Sequence, residues 1–325
     1  MTKHGALKLK RNKNILFLKK IALICGISFM FMTGCKTIPQ VTQKPLNPVY
    51  TFDILDDEGA MYIHIPASEN RDLLEVIVSG FFKGLSDSDA KMLVSKVDNV
   101  FASFGSRKDK RRIQLAVDGN IPSMLPSALK SNGYSETKYV AKSLYEGNPD
   151  SLSTYYIFES PEMQVGVASP TQIAISKNVK GMLDSYNCER DAINEIGGQV
   201  ILETRYLDDW KSTDLYKWIS EDVPSIHFYI VRPQAFLSNL IGSDMSSKVF
   251  KLVYAKGNFS KLSNAKYELT LDLEFQNSKY VKPAVSILIL TMGLTDSDVK
   301  TISPTHVQLS GVHLNTKQLV DMLGL

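Results

Sequence analysis

Hydrophobic positions along this chain follow two rhythms that succeed one another. The clearest period of two is Tyr267-Glu-Leu-Thr-Leu-Asp-Leu-Glu-Phe275, with Tyr267, Leu269, Leu271, Leu273 and Phe275 on one side and polar residues on the other. It predicts an antiparallel strand with one face in a core and one in water. Shorter strands are predicted over 60–66, 99–104, 112–118, 155–158, 163–167, 172–175, 225–231 and 248–254, the last in a hairpin with 266–275. Helical spacing takes over at 70–84, where Leu73, Leu74, Ile77, Val78 and Phe81 share a face, and again at 121–130, 179–186, 233–241 and 280–292. Pro122 suits a helix start, whereas Pro126 interrupts the 121–130 pattern. The 280–292 helix, with Val281, Val285, Leu288, Ile289 and Met292 at helical spacing and Gly293 as its stop, is too short to span a bilayer.

The first residues obey neither rhythm. Lys3, Lys8, Lys10, Arg11, Lys13, Lys19 and Lys20 precede an uncharged run over 21–33, and no Asp or Glu lies within 1–34. That run is roughly 20 Å long as a helix, short of the ~30 Å of a bilayer core. Extending it backwards over 15–18 buries Lys19 and Lys20 at about 2.5 kcal/mol or more each. The segment therefore reads as the apolar core of a secretory signal. It ends in Phe31-Met-Thr-Gly-Cys35, which resembles the lipobox of bacterial lipoprotein precursors, with Met32 in place of the more usual Leu. The resemblance implies cleavage between Gly34 and Cys35, diacylglycerol on the Cys35 thiol and acylation of the new amine. Several acyl chains at about 0.8 kcal/mol per buried methylene make such attachment effectively permanent. Lys36 stands where an Asp would resemble an inner-membrane retention signal, so the outer membrane is favoured.

Removing the leader changes the composition. Seven of the 37 basic residues leave and none of the 34 acidic ones do, so the mature charge becomes −4 and the case for a nucleic-acid partner disappears. The basic run 107–112 reads as a solvated turn before a strand, with contact to anionic lipid or lipopolysaccharide as the alternative. Cys25 leaves with the signal and Cys35 is acylated, so Cys188 cannot form a disulfide within the mature chain; it reads as an inert thiol after a helix end. Residues 36–50 hold Pro39, Pro45 and Pro48, little periodic hydrophobicity and no acid, which describes an extended tether.

Candidate chemistry is sparse. Gly84-Leu-Ser-Asp-Ser-Asp-Ala-Lys91 and Gly293-Leu-Thr-Asp-Ser-Asp-Val-Lys300 cluster carboxylates but lack the rest of a calcium loop; Asp87, Asp89, Asp296 and Asp298 read as loop and cap residues. His64 and His227 sit in predicted strands, His306 and His313 flank another, and none has helical zinc spacing. No nucleophile elbow, phosphate loop or dinucleotide fingerprint is present, and neither a cofactor nor a metal is implied. Trp210 and Trp218, in the segment joining the two halves, are candidates for a ligand cleft or for glue between those halves.

The expected architecture is α+β, with two related half-domains, each a mainly antiparallel sheet with helices packed on one face. The expected segments are a signal over 1–34, a lipidated N-terminus and tether over 35–50, half-domains over 51–187 and 223–325, and a connector over 188–222. Relatedness rests on two matches in the same order: 61–65 with 226–230, and 173–183 with 312–323. The first half is longer between them, so a duplication implies insertions there. The expected function is a lipid-anchored, non-enzymatic binding or assembly module of the cell envelope, with the membrane and another envelope protein as partners. The alternatives are the ligand-binding component of a transporter and an envelope hydrolase.

Overall fold

The computed structural model describes residues 47–325 apart from 82–85, 106–108, 110, 144, 147–152, 195–198, 201–208, 234–250, 264, 293–294, 296–297 and 324–325. Gly34, Cys35 and nearly all of the helix expected at 233–241 lie outside the described residues. The helices are α1 (Ala67–Phe81), α2 (Asp87–Val94), α3 (Leu125–Ser131), α4 (Lys180–Ile193), α5 (Asp209–Ser212), α6 (Asp214–Ile219), α7 (Val281–Met292) and α8 (Thr316–Leu323). The first strands are β1 (Met61–Pro66), β2 (Val97–Phe104), β3 (Ile113–Gly119), β4 (Ser135–Val140), β5 (Tyr145–Glu146), β6 (Thr154–Glu159) and β7 (Gln164–Ser169). They are followed by β8 (Gln172–Ser176), β9 (Gln199–Val200), β10 (Ile226–Ile230), β11 (Leu252–Ser263), β12 (Lys266–Phe275), β13 (Val299–Thr301) and β14 (His306–Asn315).

Twelve strands form one sheet in the order β13-β14-β12-β11-β10-β1-β2-β3-β8-β7-β6-β4, and β5 pairs with β9 separately. The architecture is α+β, and the pairings are antiparallel. The two halves of the sequence meet at a seam where β1 and β10 pair, with Met61 opposite Ile230 and His64 opposite His227. Outward from the seam the order β10-β11-β12-β14 mirrors β1-β2-β3-β8. Strands β4, β6 and β7 extend only the first half.

Alternation along the central strands sends side chains to two cores. Ile63, Ile65, Phe228, Phe259, Leu271, Leu273 and Phe275 join Leu73 and Leu74 of α1, Leu288 of α7 and Leu319 of α8. The other face collects Tyr62, Phe101, Ala116 and Tyr229 under Met182, Leu183 and Tyr186 of α4 and Leu215 and Ile219 of α6. Helix α1, from the first half, thus helps to cover the sheet of the second. Gly257 on β11 permits close packing between β10 and β12, because a Cβ there would lie 2.2 Å from the Thr270 carbonyl and 2.8 Å from the Phe228 ring.

Several elements depart from the sequence reading for identifiable reasons. Pro126 opens a helix instead of breaking one, since α3 begins at Leu125 and the missing N–H costs nothing in a first turn. The strand expected at 248–254 is β11, which pairs with β12 as far as Ser263. Helix α4 continues through Ile193, so Cys188 lies inside a helix, 1% exposed, and burial pushes its thiol up to about 12, with Asp191, Asp184 and Glu189 adding to the effect. His306 and His313 lie within β14. Strand β4, Ser-Glu-Thr-Lys-Tyr-Val, carries no apolar alternation and was invisible to the pattern.

Candidate functional site

The short helices α5 and α6 lie over the seam and carry both tryptophans. Thr213 starts α6 as its N-cap, with the hydroxyl oxygen accepting from the Tyr216 N–H at 3.2 Å. Its apolar residues Leu215 and Ile219 face the sheet. The Trp210 ring lies 5.6 Å from Phe52, 5.9 Å from Tyr62 and 6.0 Å from Tyr216. Trp218 stacks on His227 at 4.6 Å, donates from Nε1 to the Phe228 carbonyl at 3.0 Å and carries the Lys256 ammonium 4.6 Å above its ring. Each tryptophan is therefore bound into the wall beneath it, and the two rings line different parts of the seam.

An ionic clamp holds the same segment. Lys211 Nζ lies 2.9 Å from Glu189 Oε2 on α4 and 3.3 Å from Asp53 Oδ2 in the turn before β1. Both carboxylates are almost fully buried, whereas the lysine reaches solvent. Burial alone would lower the lysine pKa, but the bond to Glu189 and the charge of Asp53 outweigh it and raise the value. Tyr216 also hydrogen-bonds Asp53, and burial followed by that charge holds its phenol protonated. Sequence reasoning missed this clamp. The available signal was an acid in the otherwise apolar Thr51-Phe-Asp-Ile-Leu55.

His64 and His227 face the same side of adjacent strands. His227 Nδ1 donates to the Trp218 carbonyl at 3.0 Å. His64 stacks on Phe101 at 4.3 Å, and its Nε2 lies 3.0 Å from Asn99 Oδ1. Asn99 Nδ2 donates to Asp118 Oδ1 at 3.1 Å, which fixes the amide and makes His64 Nε2 the donor. Burial lowers the pKa of His64 and raises that of Asp118.

Elsewhere, His306 Nε2 lies 3.1 Å from Asp272 Oδ1, but the nearby Ser303 hydroxyl accepts the backbone N–H groups of Thr305 and His306, as a turn cap does. Asp298 Oδ2 accepts the N–H and hydroxyl of Thr295 at 2.7 Å each, which lowers its pKa. Ser86 caps α2 and donates to Asp89 at 2.6 Å. Among the described residues no group of three or more His, Cys, Asp or Glu could hold a metal, and no helix is long and apolar enough to cross a membrane. An open groove of about 350 Å³ lies between α1 and α2, lined by residues including Asp72, Glu75, Val76 and Lys91.

Comparison with known proteins places this architecture. The profile of the family described as outer membrane-associated lipoprotein TP0453 matches residues 46–310. Crystal forms I, III and IV of TP0453 are similar in structure, with TM-scores of 0.56, 0.57 and 0.54. Their sequences are 15%, 16% and 14% identical to this one, and the matches cover 85% of this chain and 96%, 98% and 97% of theirs. At that identity the likeness shows a shared fold. No curated protein matches the chain.

Proposed function

The chain belongs to the family of outer membrane-associated lipoproteins represented by TP0453, and from that premise we propose that its body is a non-enzymatic module that binds or assembles another envelope component. It is a lipoprotein of the bacterial envelope, anchored to membrane, with the outer membrane favoured. The anchor in this reading is lipid on Cys35, attached after removal of the 1–34 signal.

One observation carries the binding role. The groups best suited to chemistry are turned inward, with His64 bonded to an amide, His227 to a backbone carbonyl and both indoles packed against neighbouring rings. The surface instead presents large apolar side chains, among them Val140, Tyr156, Val253, Leu262 and Leu290. Such side chains, where they cluster, suit a partner better than a reaction.

Crosslinking of the acylated protein in intact cells, followed by capture, is expected to enrich a defined envelope component. Recovery of no envelope component, or a hydrolytic activity lost on His306→Ala, would overturn the reading. Labelled palmitate is expected to mark the wild type and not Cys35→Ala; labelling of that variant refutes the anchor.

A further inference from the structure

The two ends of the twelve-stranded sheet are unlike. At one end β13 has three residues, a blunted edge of the kind that discourages pairing. At the other, β4 has six residues, all paired to β6 on one side and, among the described residues, to no strand on the other. The Ala141 N–H donates to the Ser153 carbonyl at 3.0 Å, so Ser135, Thr137 and Tyr139 direct their backbone groups towards β6. Glu136, Lys138 and Val140 therefore turn N–H and C=O outward, and all three side chains are exposed. The strand is held firmly, because the Tyr139 hydroxyl donates to Asp184 of α4 at 2.8 Å.

We propose that β4 pairs antiparallel with β4 of a second copy, making one sheet continuous across a homodimer. Outward-facing residues must meet outward-facing residues, which restricts the two-fold axis to a residue position. An axis at residue 136 sets Glu136 against Glu136, and one at 138 sets Lys138 against Lys138. An axis at Thr137 sets each Glu136 opposite the other copy's Lys138, giving two opposite-charge pairs on one face. Charge complementarity thus selects both the occupant and the register. Glu136 already contacts Lys130 at 2.6 Å through one carboxylate oxygen, leaving the second for Lys138 of the other copy. Six paired residues bury far less than the roughly 800 Å² per partner of a stable interface, so association depends on the anchor, which concentrates the chains on one surface. The inference rests on the reading of the body as a binding module and adds a second copy of the chain to the envelope component it binds.

The test uses the full lipidated chain in bacterial membranes. Thr137 residues on the axis form a non-hydrogen-bonded pair with Cα atoms about 4.5 Å apart, within disulfide reach. With Cys35 acylated and Cys188 buried, Thr137→Cys is expected to give a disulfide-linked dimer under mild oxidation, and Ser135→Cys much less. Glu136→Lys in the Thr137→Cys background should abolish the dimer, and adding Lys138→Glu should restore it. Equal crosslinking at 135 and 137, no crosslink, a crosslink to a different protein, or failure of the charge swap to restore pairing overturns the proposal. Capture of another envelope component by a chain that gives no Thr137→Cys dimer sinks this inference and leaves the binding module standing. A dimer formed by a chain that captures no envelope component does the reverse.

Discussion

The halves on either side of the β1–β10 seam trace the same path and fill it differently. Each runs outward through four strands in mirrored order and closes with a helix, α4 after β8 and α8 after β14. Helix α4 packs on the face of Tyr62 and Phe101, whereas α8 packs on the opposite face with Leu271 and Leu273. The second half is bonded mainly by apolar burial. Under α4 the first half buries Asn187, Glu189 and Asp191, each with polar partners: the Asn187 amide accepts from Tyr155 at 2.9 Å and donates to the Lys142 carbonyl at 2.9 Å. A common strand order therefore does not dictate a common core. Polar contacts hold the α4 side, with its extra strands, and packing volume holds the other.

The largest test of that contrast is Phe228→Ala. The ring is 2% exposed and lies 5.0 Å from Phe259, so its removal should cost about 3–5 kcal/mol in urea unfolding. Next, Lys211→Met strips the clamp from two buried carboxylates. A loss of about 2 kcal/mol is expected, below the usual range for a broken buried pair because the lysine is part-exposed and the acids keep other contacts. Equal costs for clamp and apolar substitutions on both sides of the seam would erase the distinction. Tyr267→Phe should go the other way, because among the described residues this fully buried hydroxyl in the apolar half has no hydrogen-bond partner. A gain of about 1 kcal/mol is expected in the same assay.

The smallest effect sits at the seam itself. Burial holds His64 below its ordinary pKa, so the folded state binds the proton less readily than the unfolded chain does. Stability should be full above pH 6.5 and fall as pH drops through and below that value. His64→Gln should flatten the profile when midpoints are compared at pH 7.5 and 5; an unchanged slope assigns the pH dependence elsewhere.

Strands with one wet face were the most legible part of the sequence. Tyr267, Leu269, Leu271, Leu273 and Phe275 are all buried as the pattern requires, because a core on one side is itself a period-two constraint; on the other face Glu268, Thr270 and Glu274 are half-buried and Asp272 is buried, bonded by His306 and Gln308. Helix α7 was readable for a similar reason; of the expected 280–292 only Tyr280 falls outside it, in the 3-10 turn Ser278–Tyr280 that precedes it. What stayed hidden depends on partners distant in sequence. Strand β4 is defined by pairing to β6 and not by its own side chains, and α4 continues past Cys188 because its polar residues find buried partners. The match of 61–65 with 226–230 did mark the seam, although nothing local revealed that these strands pair with each other. The tryptophans were located near the junction, but the Lys211 clamp beside them joins residues from three separated segments.

The seam also sets a problem of timing. Met61 and Ile230 become neighbours only after the intervening chain has been delivered, and closing so long a loop delays the central pairing relative to the local hairpins. During export the first half emerges with β1 open along one edge and α1 without the apolar surface it shares with β11, β12 and α8. Until β10 arrives, that edge is a template for any extended segment nearby, so the interval between emergence of residue 66 and residue 226 is when the chain is most open to mispairing.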